Sequence, residues 1–242
     1  MTKNLAVLLL LICLGCHTAK IKNEDYKFSS STTELGSIGT SAVTYNKTMF
    51  STKAFPQLEN PIRLEIGIVP YNKKLNKIYN SKAKFNQNQQ KIAYIDSLPV
   101  KPEVAIIKIL DFAGLVKEIN SDYNSTILQL LINNQSSKIV SSIAVNVSAD
   151  EISKIKQADA FYLSNNQYKK YVISLYKSGK KTESITINPE SVVAYQLSSF
   201  CWSVSERGNW YIADIVNEYS SCKGSTKSKI SDKKKTKSLY DL

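Results

Sequence analysis

Apolar and polar positions alternate along this chain with a period that changes from segment to segment. At 62–68, Ile62, Leu64, Ile66 and Ile68 alternate with Arg63, Glu65 and Gly67, the period of two of a half-buried strand, and Pro70 stops it. Residues 72–90 are polar and read as a long loop or a loose helix. The run 104–110 is apolar enough to be a central strand. Residues 111–134 predict one or two helices, with Leu115, Ile119, Ile127, Leu130 and Leu131 on inward faces.

Alternation returns at Ile143, Val145 and Val147, which predicts a further strand. Ser148-Ala149-Asp150-Glu151 follows it. A Ser hydroxyl and a Glu carboxylate at this spacing satisfy free N–H groups at a helix start, so a short helix is predicted over 149–157. From Asp159 the chain turns β-rich. Two or three strands are predicted over 160–187, with Ser178-Gly179 as a hairpin turn. Residues 192–205 and 210–219 flank Glu206-Arg207-Gly208-Asn209, a second hairpin signal. Centring that hairpin between Arg207 and Gly208 places Cys201 opposite Asp214. The elements together predict an α+β fold, an antiparallel sheet, mostly C-terminal, with a few short packed helices.

The flanks read differently. The stretch 17–57 is rich in Ser, Thr and Gly without a sustained period, which predicts a flexible tether. Residues 223–242 hold seven lysines and two aspartates and read as a disordered Lys-rich tail. The expected division is a leader at 1–15, a modified Cys16 and tether to residue 57, one globular domain at 58–222, and the tail.

The leader reading rests on order. Lys3 precedes an apolar run from Leu5 to Leu14, and Gly15-Cys16 closes it. That is the pattern of an export signal, and the run is too short to span a bilayer. Cys13-Leu14-Gly15-Cys16 resembles the lipobox of bacterial lipoproteins. The resemblance covers the first sixteen residues and departs at Cys13, where that family usually has Leu. It implies that Cys16 carries acyl chains such as palmitate and becomes the first residue of the mature chain, held on a membrane. His17, where an Asp would imply inner-membrane retention, points to the outer membrane.

Cysteine and charge follow from the leader. With Cys13 removed and Cys16 acylated, Cys201 and Cys222 remain, and an even remainder in an oxidising compartment reads as a disulfide. It would tie the chain after the last strand back to the sheet. The formal net charge is +12, but Arg63 and Arg207 are the only arginines. Arg is the preferred reader of bases and phosphates, so with an export signal the composition argues against a nucleic-acid partner.

Candidate chemistry is sparse. The only His is His17, beside the anchor, which disfavours His-based nucleophile systems and most zinc hydrolase schemes. Ser-x-x-Lys begins at Ser81, Ser153, Ser174 and Ser178, in a chain rich in both residues. Carboxylates for glycoside hydrolysis would come from Glu103, Asp111, Asp150, Glu151, Asp214 and Glu218. No glycine-rich phosphate loop is present at the required spacing, and no metal or cofactor is expected. Aromatics crowd the C-terminal half, and Trp202, Trp210, Tyr211 and Arg207 beside the second hairpin are the expected binding surface.

These features predict a non-catalytic binding or scaffolding module of the cell envelope, tethered by its lipid, with an envelope protein or polysaccharide as partner. Two alternatives stand beside it. One is a binder of anionic envelope polymer or lipopolysaccharide through the Lys-rich tail. The other is a carboxylate-dependent hydrolase of an extracellular polymer. Asn-x-Ser/Thr triplets at Asn46, Asn124, Asn134 and Asn146 leave a glycosylated secreted protein as a remote third.

Overall fold

The computed structural model describes residues 18–28, 31–44, 47–83, 92, 94–97, 99 and 101–230. The fold is α+β, built on a twelve-stranded sheet with every described strand pair antiparallel. Its strands are β1 (Thr18–Ile21), β2 (Glu24–Lys27), β3 (Ile38–Thr44), β4 (Lys47–Ala54), β5 (Ile62–Pro70), β6 (Glu103–Ile109), β7 (Lys138–Val145), β8 (Ala160–Asn165), β9 (Tyr171–Lys177), β10 (Lys180–Ile185), β11 (Val192–Val204) and β12 (Trp210–Asn217). Among the described residues, four short α-helices accompany them: α1 (Lys73–Ala83), α2 (Phe112–Ile119), α3 (Ser125–Asn133) and α4 (Ala149–Gln157).

β7 and β11 form the centre. β6, β5, β8, β9 and β10 extend the sheet from β7, and β2 then β1 extend it from β11. β11 is long enough to carry two partners on one edge, β2 at Tyr195 and β12 from Ser198 onward. The β3–β4 hairpin joins at the start of β7, where Ile38 faces Ile139.

The sheet is covered on both faces. On β6, Ala105, Ile107 and Ile109 enter a large core with Leu115, Ile119, Leu131, Ile143, Leu163, Tyr195 and Trp202. The intervening Val104 and Ile106 enter a smaller core with Tyr26, Tyr71, Leu75 and Tyr79, under α1 and the β1–β2 hairpin. A strand covered on two sides carries apolar residues on both faces, which is why 104–107 lacks alternation.

Several local expectations hold. α4 begins on the capping box, with Ser148 Oγ accepting from the Glu151 N–H and the Glu151 carboxylate accepting from the Ser148 N–H. Leu115, Ile119 and Leu131 are buried, and Ile127 and Leu130 pack against the same core. Ser178 and Gly179 form the β9–β10 turn with φ of 51° and 76°, the pairing a two-residue type I′ turn requires. Cys201 lies opposite Asp214, but the hairpin is centred on Arg207, with Val204 opposite Trp210, rather than between Arg207 and Gly208, and a register shift in between restores the expected pairing.

Both flanks need correction. Over its described residues, the expected tether at 17–57 is four strands and part of the core: Tyr26, Ile38 and Phe50 are buried, and Tyr26 Oη hydrogen-bonds Ser142 Oγ at 2.9 Å. The folded unit therefore begins at β1, not near residue 58. The expected tail is also partly built in. Trp202 N donates to Lys227 O and Lys227 N to Trp202 O, at 2.7 and 2.8 Å. Ile230 N donates to Gln135 Oε1 at 3.0 Å. Residues 231–242 lie outside the described residues. The stretch 72–90 holds a helix over Lys73–Ala83, and 84–90 lie outside the described residues.

Candidate functional site

Cys16 and His17 lie outside the described residues. Cys201 and Cys222 are joined in a disulfide with Cα atoms 5.6 Å apart. Cys201 is buried on β11, so the bond fastens the segment after β12 to the sheet, close to the Trp202–Lys227 backbone pair.

The structure divides the expected aromatic surface. Trp202 is 1% exposed and belongs to the large core beside Ile212. The register shift between Cys201 and Trp202 leaves Ala213 of β12 unpaired, so Ile212 and Ile215, three apart in sequence, both reach that core. Trp210 is half-buried against the same core, with Lys227 Nζ 5.9 Å from its ring centroid. Tyr211 and Arg207 are exposed. The four residues do not form one patch.

The candidate acids are dispersed and engaged. Glu103 receives Lys156 at 2.7 and 2.9 Å. Asp111 caps α2 through Gly114 N at 2.8 Å. Asp150 lies in the first turn of α4, and Glu151 completes the capping box. Asp214 is exposed on β12 and accepts from Ile215 N at 2.8 Å. The Ser-Lys candidates separate as well. Ser153 Oγ donates to Ala149 O while Lys156 pairs with Glu103, and buried Ser174 lies between Ser164 and Ser184 at 3.4 Å from each. Ser178 is a turn residue, and Lys84 lies outside the described residues.

Glu218 is the exception in burial, at 9% side-chain exposure. One carboxylate oxygen takes the Lys27 ammonium and the other that of Lys138. Burial alone would raise this carboxyl, but the two lysines outweigh it and hold the group below its usual range. Glu218 is thus a fixed anion with both oxygens occupied, a charge anchor rather than a proton donor. It lines a polar cleft of about 120 Å³ with Glu24, Asp25, Lys27, Gln196 and Tyr219.

A second cleft, of about 190 Å³, opens elsewhere along the same β1–β2 hairpin. Ile21, Val69, Pro70 and Leu75 form its apolar part, and Lys20, Lys22, Asn72 and Lys74 its polar part, with no carboxylate in the lining. The hairpin turn is Lys22-Asn23, both left-handed, at φ of 48° and 66°. Asn tolerates that conformation well and Lys does so less readily. The Lys22 ammonium lies over Gly67, where a Cβ would stand 2.7 Å from Nζ.

Among the described residues, no group of three or more His, Cys, Asp or Glu is placed to hold a metal ion. No described helix is long and apolar enough to cross a membrane.

Sequence reasoning missed the lysine-lined cleft and a polar cluster around α2. Glu118, 1% exposed, accepts from Glu59 N, Asn60 Nδ2 and Tyr123 Oη at 2.6, 2.7 and 2.6 Å. A signal for the cleft was available: Lys73-Lys74 opens α1 with no acid in its first turn, against the preference of the helix dipole. Comparison of the chain with protein-family models, curated proteins and solved structures finds no match.

Proposed function

We propose that this chain is an exported, lipid-anchored protein of the cell envelope whose domain binds or scaffolds a partner there. The observation that carries the reading is the Cys201–Cys222 disulfide in a chain whose leader ends in Gly15-Cys16. Disulfides persist in oxidising compartments, and an export leader delivers a chain to one. A binding role is supported over a catalytic one by the engagement of the candidate acids. Glu103, Asp111, Glu151 and Glu218 are each held by a lysine, a cap or both oxygens of an ion pair. Asn124 is buried with its amide consumed by backbone partners, which removes it as a glycosylation site.

The test is the intact mass of protein extracted from membranes, with and without reductant. A mass for 16–242 plus acyl chains, gaining two hydrogens on reduction, is expected. A mass starting at Met1 with four free thiols overturns the reading.

A further inference from the structure

The first described strand begins two residues after Cys16. β1 starts at Thr18, so only His17 separates the expected anchor from the sheet, and no tether lifts the domain away. At about 3.3 Å per residue of extended chain, Lys22 lies at most about 20 Å from Cys16. The lysine-lined cleft is therefore held near whatever surface carries the lipid. Among the described residues, β1 is also the end strand of the sheet on this side, paired with β2.

The cleft is built against local preference in two places. Lys22 occupies a left-handed turn position that Gly or Asn would take more readily. Lys74 sits in the first turn of α1, where the helix dipole disfavours a cation and no acid compensates. Lys20, Lys22 and Lys74 are all exposed, and none makes an ion pair among the described residues. By contrast, Lys27 on the same hairpin, Lys138 on β7 and Lys108 on β6 are each matched to Glu24 or Glu218. Of the hairpin's own lysines, those without an ion pair thus lie on the side of the cleft. Breaks in local rules that gather at one site and have no internal compensation point to a partner outside the chain.

We infer that the Lys20, Lys22 and Lys74 cleft docks onto the anionic phospholipid headgroups of the membrane that holds the Cys16 lipid, so that the domain lies on the bilayer. This rests on the lipid-anchor reading above. The phosphate oxygens supply the missing countercharge, and Ile21, Val69 and Leu75, buried in the smaller core, fix the floor beneath the lysines. Each lysine at an anionic surface favours the docked state about fivefold, so the three together favour it about a hundredfold.

The test uses the full acylated chain, purified from membranes and reconstituted into vesicles of neutral phosphatidylcholine or of phosphatidylcholine with phosphatidylglycerol. Flotation with neutral vesicles reports the anchor. An environment-sensitive fluorophore on Asn72→Cys, at the cleft rim, reports docking. A blue shift in anionic vesicles alone, lost in high salt and lost in the Lys20→Gln/Lys22→Gln/Lys74→Gln variant, is expected. A control variant, Lys117→Gln/Lys180→Gln/Lys181→Gln, removes the same charge elsewhere and should keep the shift. Flotation without a blue shift overturns docking and leaves the anchor standing. Absence of flotation overturns the anchor reading and docking with it. An equal shift with inorganic phosphate and no vesicles assigns the cleft to a soluble anion and overturns membrane docking.

Discussion

Asn124 and Gln57 pair as two residues of neighbouring strands would. Gln57 N donates to Asn124 Oδ1 at 2.9 Å, and Asn124 Nδ2 donates to Gln57 O at 2.8 Å. The same Nδ2 also reaches Glu118 O at 2.9 Å. Four residues earlier, Asn120 repeats the device on β12, bonding Ile212 O at 2.7 Å and receiving Ile212 N at 3.0 Å. One side-chain amide thus supplies the donor and acceptor that an adjacent strand would supply, and the end of α2 closes against two distant backbones.

Replacing Asn124 leaves the half-buried Gln57 N–H and C=O groups without these partners, and removes a buried bond to Glu118 O. Asn124→Ala is expected to lower stability by about 2–3 kcal/mol, within the range of about 1–3 kcal/mol for an orphaned buried group. Asn120 is only half-buried, so Asn120→Ala is expected to cost less, about 1–2 kcal/mol. Urea denaturation midpoints of the two variants, at unchanged slope, check the order.

Glu118 predicts how stability depends on pH. Burial opposes its charge, but the hydrogen bonds from Tyr123, Asn60 and Glu59 outweigh burial and hold the carboxyl below its ordinary value of 4.5. A carboxyl lowered on folding contributes stability that is fully present above the unfolded value. That contribution is lost as pH falls through the folded value. Stability should therefore fall as pH drops below about 4.5, and Glu118→Gln should fall less steeply from a lower starting point. Denaturation midpoints measured from pH 6 down to pH 3 test the sign; a steeper fall in the variant contradicts it.

Glu218 is the charge between Lys27 and Lys138. Glu218→Gln leaves two partly buried ammonium groups facing each other, and a loss of about 2 kcal/mol is expected, below the 3–5 kcal/mol of a fully buried pair. Raising salt screens the repulsion, so the deficit against the parent chain should shrink with ionic strength. A deficit that does not change with salt would place the effect in packing.

The disulfide joins residues 21 apart in sequence. Closing a loop of that size contributes about 3 kcal/mol in the chain-entropy account. Cys201→Ala/Cys222→Ala should melt below the parent chain, and reductant should lower the parent towards the double variant without affecting the latter. The segment to Lys227, which pairs with Trp202, should then gain amide exchange well before the rest of β11.

Where neighbours in sequence carry the information, the structure was legible. The Ser148–Glu151 box, the Ser178-Gly179 turn and the Cys201–Asp214 register are contacts made within a few residues or across one tight hairpin. The polar N-terminal segment was not. Ser37 is fully buried between Leu35 and Ile38, in a stretch whose Ser, Thr and Gly content hides those two core residues. Its hydroxyl donates to Glu34 O at 2.6 Å, and its carbonyl accepts from Val140 N at 2.9 Å. Gly39 shows the same limit, because a Cβ there would collide with the Ser51 carbonyl and the Phe50 ring across the β3–β4 pair. The aromatic surface failed for a related reason. Trp202 shares its face of β11 with Phe200, and only the packing of that face against the large core decides that both are buried.

By itself, the sequence determined the α+β class, the capping of α4, the turn chemistry of the C-terminal hairpins and the pairing of its last two cysteines, because local propensity and short loops suffice for these. Only the tertiary structure decided that 18–54 is sheet rather than tether, that Glu218 is gripped by two lysines, and that Lys20, Lys22 and Lys74 share one cleft. Their partners lie far away in sequence. A polar strand gains its place from backbone hydrogen bonds to β7 and β11 that no window of neighbouring residues contains.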